Sequence, residues 1–460
     1  MALRLSFGEN TPDKGENLMK TSLKILLLAS VATAIAPIAA AQTSSLEARL
    51  QAMEAQISQL RAELAAEKAQ TDNDLILLEQ KAETIISPVA SAQNGSGFKV
   101  GDTTFKLGGF VDFDAHVSNF SEGALAGGSG GRDFYIPFTV PVGTSGDGST
   151  VTDLTAQATR FSVTGERDVG GNKATAYIET DFLLAGNGNE RISSSFSPRL
   201  RRAYIDYSGW RIGQEWSTFQ NTSAIPESAS FYVLGDGQIF IRQAQVRYTN
   251  GNFQFALENG NASIIPAGGT GSLGTEFDSN TIPDLVARYN FKGDFGNISL
   301  AGIGRQLRAN QLGVSSESDL GWGLSAAGRI NVGDGDLRFS VSGGEGLGRY
   351  IGLNLVAAGA IDPLSGDVEA IPSIGAHIAY RHPLSDKTRF SVGVSQLSVD
   401  NPDFVAGSIS DRSRSAYGAL FWDIAPKVSL GVEGLYGERR TEDGTDGDLT
   451  RFTFSTKYGF

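Results

Sequence analysis

The chain reads as all-β: a 16-stranded antiparallel transmembrane β-barrel, preceded by an N-terminal signal peptide and a periplasmic α-helical coiled coil. Three observations predict this. Segments of alternating apolar and polar residues recur through the C-terminal three-quarters of the chain. The links between them alternate between short turns and long polar stretches. The last segment closes the chain on an aromatic residue, Phe460. Side chains of an extended strand alternate between two faces, so each segment can offer one face to lipid and the other to water.

Composition narrows the field. There is no cysteine among the 460 residues, which excludes a disulfide framework and a thiolate metal site. The 38 basic and 51 acidic residues leave a net charge of −13, which argues against general nucleic-acid binding. After the N-terminal region no run approaches the ~20 apolar residues of a spanning helix. A barrel strand needs only about 9 to 11 residues, half of them apolar, so a membrane protein stays compatible with that hydropathy.

In chain order, residues 1–18 carry acids, Gly and Pro and do not resemble the start of a secretory leader, so they are expected to be a non-native extension before an initiator at Met19. Residues 19–41 have the three parts of a signal peptide: Lys20 and Lys24, the apolar run Ile25 to Ile38, and Ala39-Ala40-Ala41 before Gln42. That run is short for an anchor helix. Residues 42–88 switch to a heptad, with Leu46, Leu50, Met53, Ile57, Leu60 and Leu64 at a and d positions and Leu75, Leu78, Ala82 and Ile85 resuming after a stutter. The narrow seam suits a helical partner better than a broad barrel surface, which favours a coiled coil over a lone packed helix. Residues 89–101 read as a linker, and 102–460 as the barrel.

Sixteen strands are expected, the first at 105–117 and the others near 157–167, 173–183, 199–208, 210–215, 240–249, 252–258, 284–291, 295–305, 320–331, 335–343, 373–381, 387–396, 412–423, 427–437 and 450–460. Turn chemistry marks the short links, as in Val169-Gly170-Gly171-Asn172 and Asn250-Gly251-Asn252. Long stretches, among them 118–156, 216–239, 344–372 and 438–448, fall between them. Soluble barrels and sandwiches also alternate. The membrane is favoured because Tyr207, Trp210, Tyr248, Tyr289 and Tyr458 sit on the apolar face near strand ends, while the opposite face keeps charges in mid-strand.

The strand KLGGFVDFDAHV, the run TRFSVTGERDVGG and the block RLRRAYIDYSGWRIGQEWSTF resemble the DcaP-like trimeric outer-membrane porin family. The resemblance covers almost everything after Gln42. It implies a homotrimer in the Gram-negative outer membrane, among lipids and lipopolysaccharide, with the third long loop folded into the lumen. Glu227, Tyr232 and Asp236 of that constriction loop would then face an arginine wall.

Placing the apolar parity outward gives the pore-lining side chains. The basic set is Arg160, Arg202, Arg247, Arg288 and Arg451, with Arg305, Arg329, Arg338, Arg389 and Arg414 on the same parity. The acidic set is Asp112, Asp114, Glu179 and Asp181, with Glu166, Asp206, Glu258 and Glu433. The acids cluster early and the arginines dominate later, which predicts a transverse field. Arg201 breaks the parity rule, and a bulge, a headgroup contact or a subunit contact would each explain it. Guanidinium groups match carboxylates with paired, permanently charged donors. The expected function is passive diffusion of small hydrophilic solutes, favouring anions such as carboxylates or dicarboxylates; the alternatives are a non-selective or cation-leaning porin and a barrel tethered through its coiled coil. No enzyme, cofactor or metal site is expected. His116 and His377 fall in the lumen and His382 in a turn, which is poor material for a lipase, and the acidic stretch 442–448 lacks a complete EF-hand pattern.

Overall fold

In the computed structural model the described residues are 97–184, 193–269, 274–311 and 314–460, together with Gln51, Ala55, Ser58, Gln59 and Ala62. The chain divides into two units, Met1–Ala90 and Ser91–Phe460. In the first, those five positions are helical; the signal peptide and the rest of the expected coiled coil lie outside the described residues.

The second unit is built on one sheet in which eighteen strand segments are hydrogen-bonded neighbours. One is a spur, Phe98–Val100, that folds back on Thr103–Phe105, so the end of the expected linker is already strand. Two others are halves of one interrupted strand, which leaves sixteen. They are β1 Thr103–Phe120, β2 Ser149–Thr155 with Arg160–Val169, β3 Asn172–Asp181, β4 Arg199–Tyr207, β5 Trp210–Trp216, β6 Arg242–Asn250, β7 Phe253–Glu258 and β8 Asp284–Gly293. There follow β9 Gly296–Leu307, β10 Asp319–Val332, β11 Gly335–Glu345, β12 Pro372–Pro383, β13 Thr388–Val399, β14 Ser410–Ala425, β15 Val428–Thr441 and β16 Asp446–Gly459. Each pairs antiparallel with the next, and β16 pairs with β1 from Phe110↔Gly459 to Phe120↔Leu449. Closure leaves no open sheet edge.

The alternation settles which face is which. On β16, Phe452, Phe454 and Tyr458 are exposed while Arg451, Thr453 and Ser455 are buried. The same holds on β1, with Leu107, Val111, Phe113 and Val117 exposed and Asp112, Asp114 and His116 buried. The outer surface is therefore apolar and the inner one polar. Tyr207, Trp210, Tyr248 and Tyr458, all exposed, flank the end of the barrel that carries the short turns. An aromatic girdle at that level fits a membrane interface.

Two sequence expectations need correction here. The segment 149–155, expected within a loop, is the upper half of β2 and pairs with Asp114–Phe120. The break at 156–159 hides it from an alternation count, and there the Thr159 side chain replaces ladder bonds: its Oγ1 accepts from the Asp112 N–H at 3.1 Å and donates to the Asp112 carbonyl at 3.3 Å. The last long stretch shrinks to residues 442–445, because β15 and β16 extend well beyond their expected ends.

At the long-loop end, Ile264–Ile265, Gly359–Ile361 and Val368–Ala370 form a small second sheet. It encloses an apolar cluster with Ala262, Leu307 and Ala309, so these loops carry a core of their own.

Candidate functional site

The third long loop, residues 217–241, runs inside the barrel, and residues 232–239 are all buried. Its contacts move around the wall in sequence. Asn221 donates to Asn297 and Ser299 of β9 and to the Ala327 carbonyl of β10. The Ala224 carbonyl meets His377 Nε2 of β12 at 2.9 Å, and the Ile225 carbonyl accepts from Arg338 of β11 at 2.7 Å. Glu227 pairs with Arg389 at 2.7 Å and Arg381 at 3.6 Å near the short-turn end. Glu433 of β15 then accepts from Ser228, the Ala229 N–H and Ser230. The loop thus clothes the inner wall from β6 to β15.

Arginine side chains hold these interior loops through backbone carbonyls. Arg247 donates to the Trp216 carbonyl and to Thr218 Oγ1 at 2.8 Å, and Arg288 donates to the Gln220 carbonyl at 2.5 Å. Arg305 reaches the carbonyls of Asn261, Gly346 and Leu347, and Arg439 those of Phe138 and Val140. Arg451 donates to Ser118 at 2.8 Å and to the Gly131 carbonyl of the first loop at 2.5 Å. A charge-assisted donor on a carbonyl is among the stronger neutral-acceptor contacts. Arg247, Arg288 and Arg451, expected to line the pore, are placed here as loop anchors.

The inner wall of β2 to β5 is only partly covered. Side chains of Arg199, Arg202 and Arg211 are 23%, 22% and 26% exposed, against 0% for Arg305. Acids stand behind them. Arg199 and Arg201 both bind Asp181, at 2.8 and 2.6 Å, and Arg201 also binds Glu179 at 2.7 Å. Arg202 and Arg211 share Glu215, each at 2.6 Å, and Arg211 takes Asp206 at 2.7 Å. Glu179 and Asp181, both on β3, are thus placed inward but neutralised by arginines of the adjacent strand β4. The transverse field expected from early acids facing later arginines is not the arrangement found.

Arg201 points inward because β4 is bulged. Glu179 pairs with Arg202 but its neighbour Thr180 pairs with Leu200, so Arg201 is the extra residue and shares the inner side with Arg202. Arg414 goes the other way. Ser413 and Ser415 are the buried, inward residues, and Arg414 is on the outer face with Glu438, a correction to the expected lumen position. His382 lies within β12 rather than in a turn, against Tyr380. His116 meets Thr453 at 3.0 Å.

Four guanidinium groups of this wall lie against aromatic rings: Arg160 over Phe110 at 4.9 Å, Arg201 over Phe231 at 5.5 Å, Arg202 over Tyr177 at 4.7 Å and Arg211 over Tyr204 at 4.0 Å. Beside them at the root of the third loop, Arg242 pairs with Trp216 of β5 and stacks on its ring at 4.4 Å, within electrostatic reach of Arg160, Arg199, Arg201 and Asp181. Nε of Arg160 and Nη1 of Arg242 are buried without a hydrogen-bond partner among the described residues. Arg242 was absent from the expected set because it opens β6 at a loop root, where parity is weakest.

Asp112 and Asp114 are buried on β1. Asp112 pairs with Lys457 at 3.0 Å, while Oδ1 of Asp114 has no hydrogen-bond partner among the described residues. Of the loop residues, Glu227 meets Arg389 and Arg381. Tyr232 packs on Phe240 with ring centroids 3.9 Å apart. Asp236 takes three hydroxyls instead of a guanidinium: Tyr135 donates to it at 2.6 Å, and Ser413 and Ser415 also donate. Its expected place before the arginine wall is therefore corrected.

A family model described as DcaP outer membrane protein matches residues 134–460. Among solved structures, the outer membrane channel DcaP of Acinetobacter baumannii superposes with a TM-score of 0.66 at 23% identity, covering 79% of this chain and 100% of that one. A loop L8 deletion mutant of OmpT, an outer membrane protein of Vibrio cholerae, gives 0.47 at 12% identity, covering 78% and 100%. At such identities the likeness is one of fold. No curated protein matches the chain.

Proposed function

Because the chain belongs to the DcaP outer membrane protein family, we propose that it is a passive outer-membrane channel for small hydrophilic solutes that favours anions such as carboxylates or dicarboxylates. The observation that carries the anion preference is the pair Arg160 and Arg242, whose Nε and Nη1 respectively have no hydrogen-bond partner among the described residues, beside a partly open, arginine-bearing wall. A carboxylate supplies the acceptor oxygens that are missing there. A cluster of fixed positive charge in a narrow, low-dielectric passage raises the local anion concentration. The homotrimer, the lipid and lipopolysaccharide surroundings, the signal peptide at 19–41 and the periplasmic coiled coil at 42–88 belong to the same proposal.

A cation-leaning channel is the second reading. It draws on the buried Asp112, Asp114 and Glu433, among which Lys457 makes the one ion pair found among the described residues. Reversal potential in a planar bilayer under a potassium chloride gradient separates the two. The first reading predicts chloride selectivity that falls at least about twofold in Arg160→Gln/Arg242→Gln. Cation selectivity of the unaltered protein rejects it and favours the second.

A further inference from the structure

We propose that the channel selects, among carboxylates of equal charge, those with a flat aromatic body, as in benzoate, over aliphatic or polyhydroxylated ones. The proposal rests on the anion reading above and adds the shape of the anion to it.

Guanidinium groups on the open wall are not free-standing: Arg202 and Arg211 lie on Tyr177 and Tyr204, whose rings stack with centroids 5.2 Å apart, and Arg160 lies on Phe110. Next to them, where β5 meets β6, Arg242 lies on Trp216, which itself meets Phe240 edge-on at 4.8 Å. A guanidinium seated on a ring loses water from one flat side and keeps its N–H edge for hydrogen bonding. The rings of Phe110, Tyr177, Tyr204 and Trp216 are half-buried, so each keeps some solvent-accessible surface.

An anion entering this passage therefore meets two kinds of surface at one spacing. The carboxylate finds an N–H edge, and the atoms bonded to it come against an aromatic ring. A phenyl group makes offset or edge-to-face contact there, an arrangement that is favourable beyond the area it buries. A saturated ring of similar size buries area without that electrostatic match. A sugar acid fares worse, because its hydroxyls lose water against ring faces that offer no comparable hydrogen bond. The acids nearest the strip, Glu179, Asp181 and Glu215, are already bound by arginines and leave the ring surface unopposed.

The test is current block of the full-length channel at pH 7 by benzoate, cyclohexanecarboxylate and gluconate, with chloride selectivity measured on the same preparation. Benzoate is expected to reach half-block at about threefold to tenfold lower concentration than cyclohexanecarboxylate, with gluconate weakest. In Trp216→Leu, and separately in Tyr204→Leu, that ratio is expected to shrink toward one. Equal half-block by benzoate and cyclohexanecarboxylate in a chloride-selective channel overturns this proposal and leaves the anion reading standing. Absence of chloride selectivity overturns the anion reading itself. A benzoate preference that persists undiminished in both leucine variants also overturns the proposal, since the rings are then not its source.

Discussion

Asp236 anchors the return leg of the third loop with three hydroxyl donors and no cation, and this gives it a pH signature. Burial raises its carboxyl above the ordinary 3.8, against the opposing pull of the Ser413, Ser415 and Tyr135 hydroxyls. A carboxyl raised on folding contributes stability that is fully present below its unfolded pKa and is lost as pH rises through the folded value. Hydrogen-exchange protection of residues 228–238 is therefore expected to increase on going from pH 7 toward pH 4, and Asp236→Asn is expected to flatten that dependence. Asp236→Ala strands three buried hydroxyls and is expected to cost about 1–3 kcal/mol of loop protection by the same measurement. Single residues were also where the sequence was least legible. Alternation places Arg202 on the inner side, but Arg201 beside it follows a bulge that no two-residue period encodes. The clue was the Arg201-Arg202 doublet itself, because two charges in succession cannot both obey alternation with one face in lipid.

At the scale of elements, the third loop fits the wall through a backbone contact. A Cβ on Gly237 would lie 2.1 Å from the Ala376 carbonyl oxygen and 2.4 Å from its carbon, both on β12. Gly237→Ala is thus expected to lift the loop from β12 and to raise single-channel conductance or its open-state noise. Gly434→Ala, on β15 with nothing within 4 Å of the added carbon, is expected to leave both unchanged. Strands were the legible elements, since lipid on one side imposes a period that composition cannot hide; the sixteen were foreseen to within a few residues apart from the upper half of β2 and the longer facing ends of β15 and β16. Loops were not legible in the same way. Which wall residues a loop covers depends on carbonyl acceptors, and every residue has one whatever its side chain. For that reason Arg247, Arg288 and Arg451 look identical in sequence to Arg202 yet hold loops rather than face the passage.

For the whole molecule, closure depends on the seam between the first and last strands. Phe460 donates its N–H to the Gly109 carbonyl at 3.1 Å, and its ring lies 5.8 Å from that of Phe161. Gly109 has φ +150°, and a Cβ there would lie 2.1 Å from the Arg160 carbonyl oxygen, so the backbone at the seam is fitted to glycine. Deleting Phe460 is expected to lower the fraction of chains that reach the heat-modifiable, folded form in membranes, read as a gel-mobility shift. The loop-lined half of the barrel has a wider consequence. A solute travels between two unlike sides: strands locked by a ladder of backbone bonds, and a loop suspended from side chains. The first is stiff and carries most of the ionic pattern; the second is compliant and sets the clearance. Thermal agitation should then make the current flicker in size while the preference between ions holds steady, because the moving side is not the one that bears most of the charge.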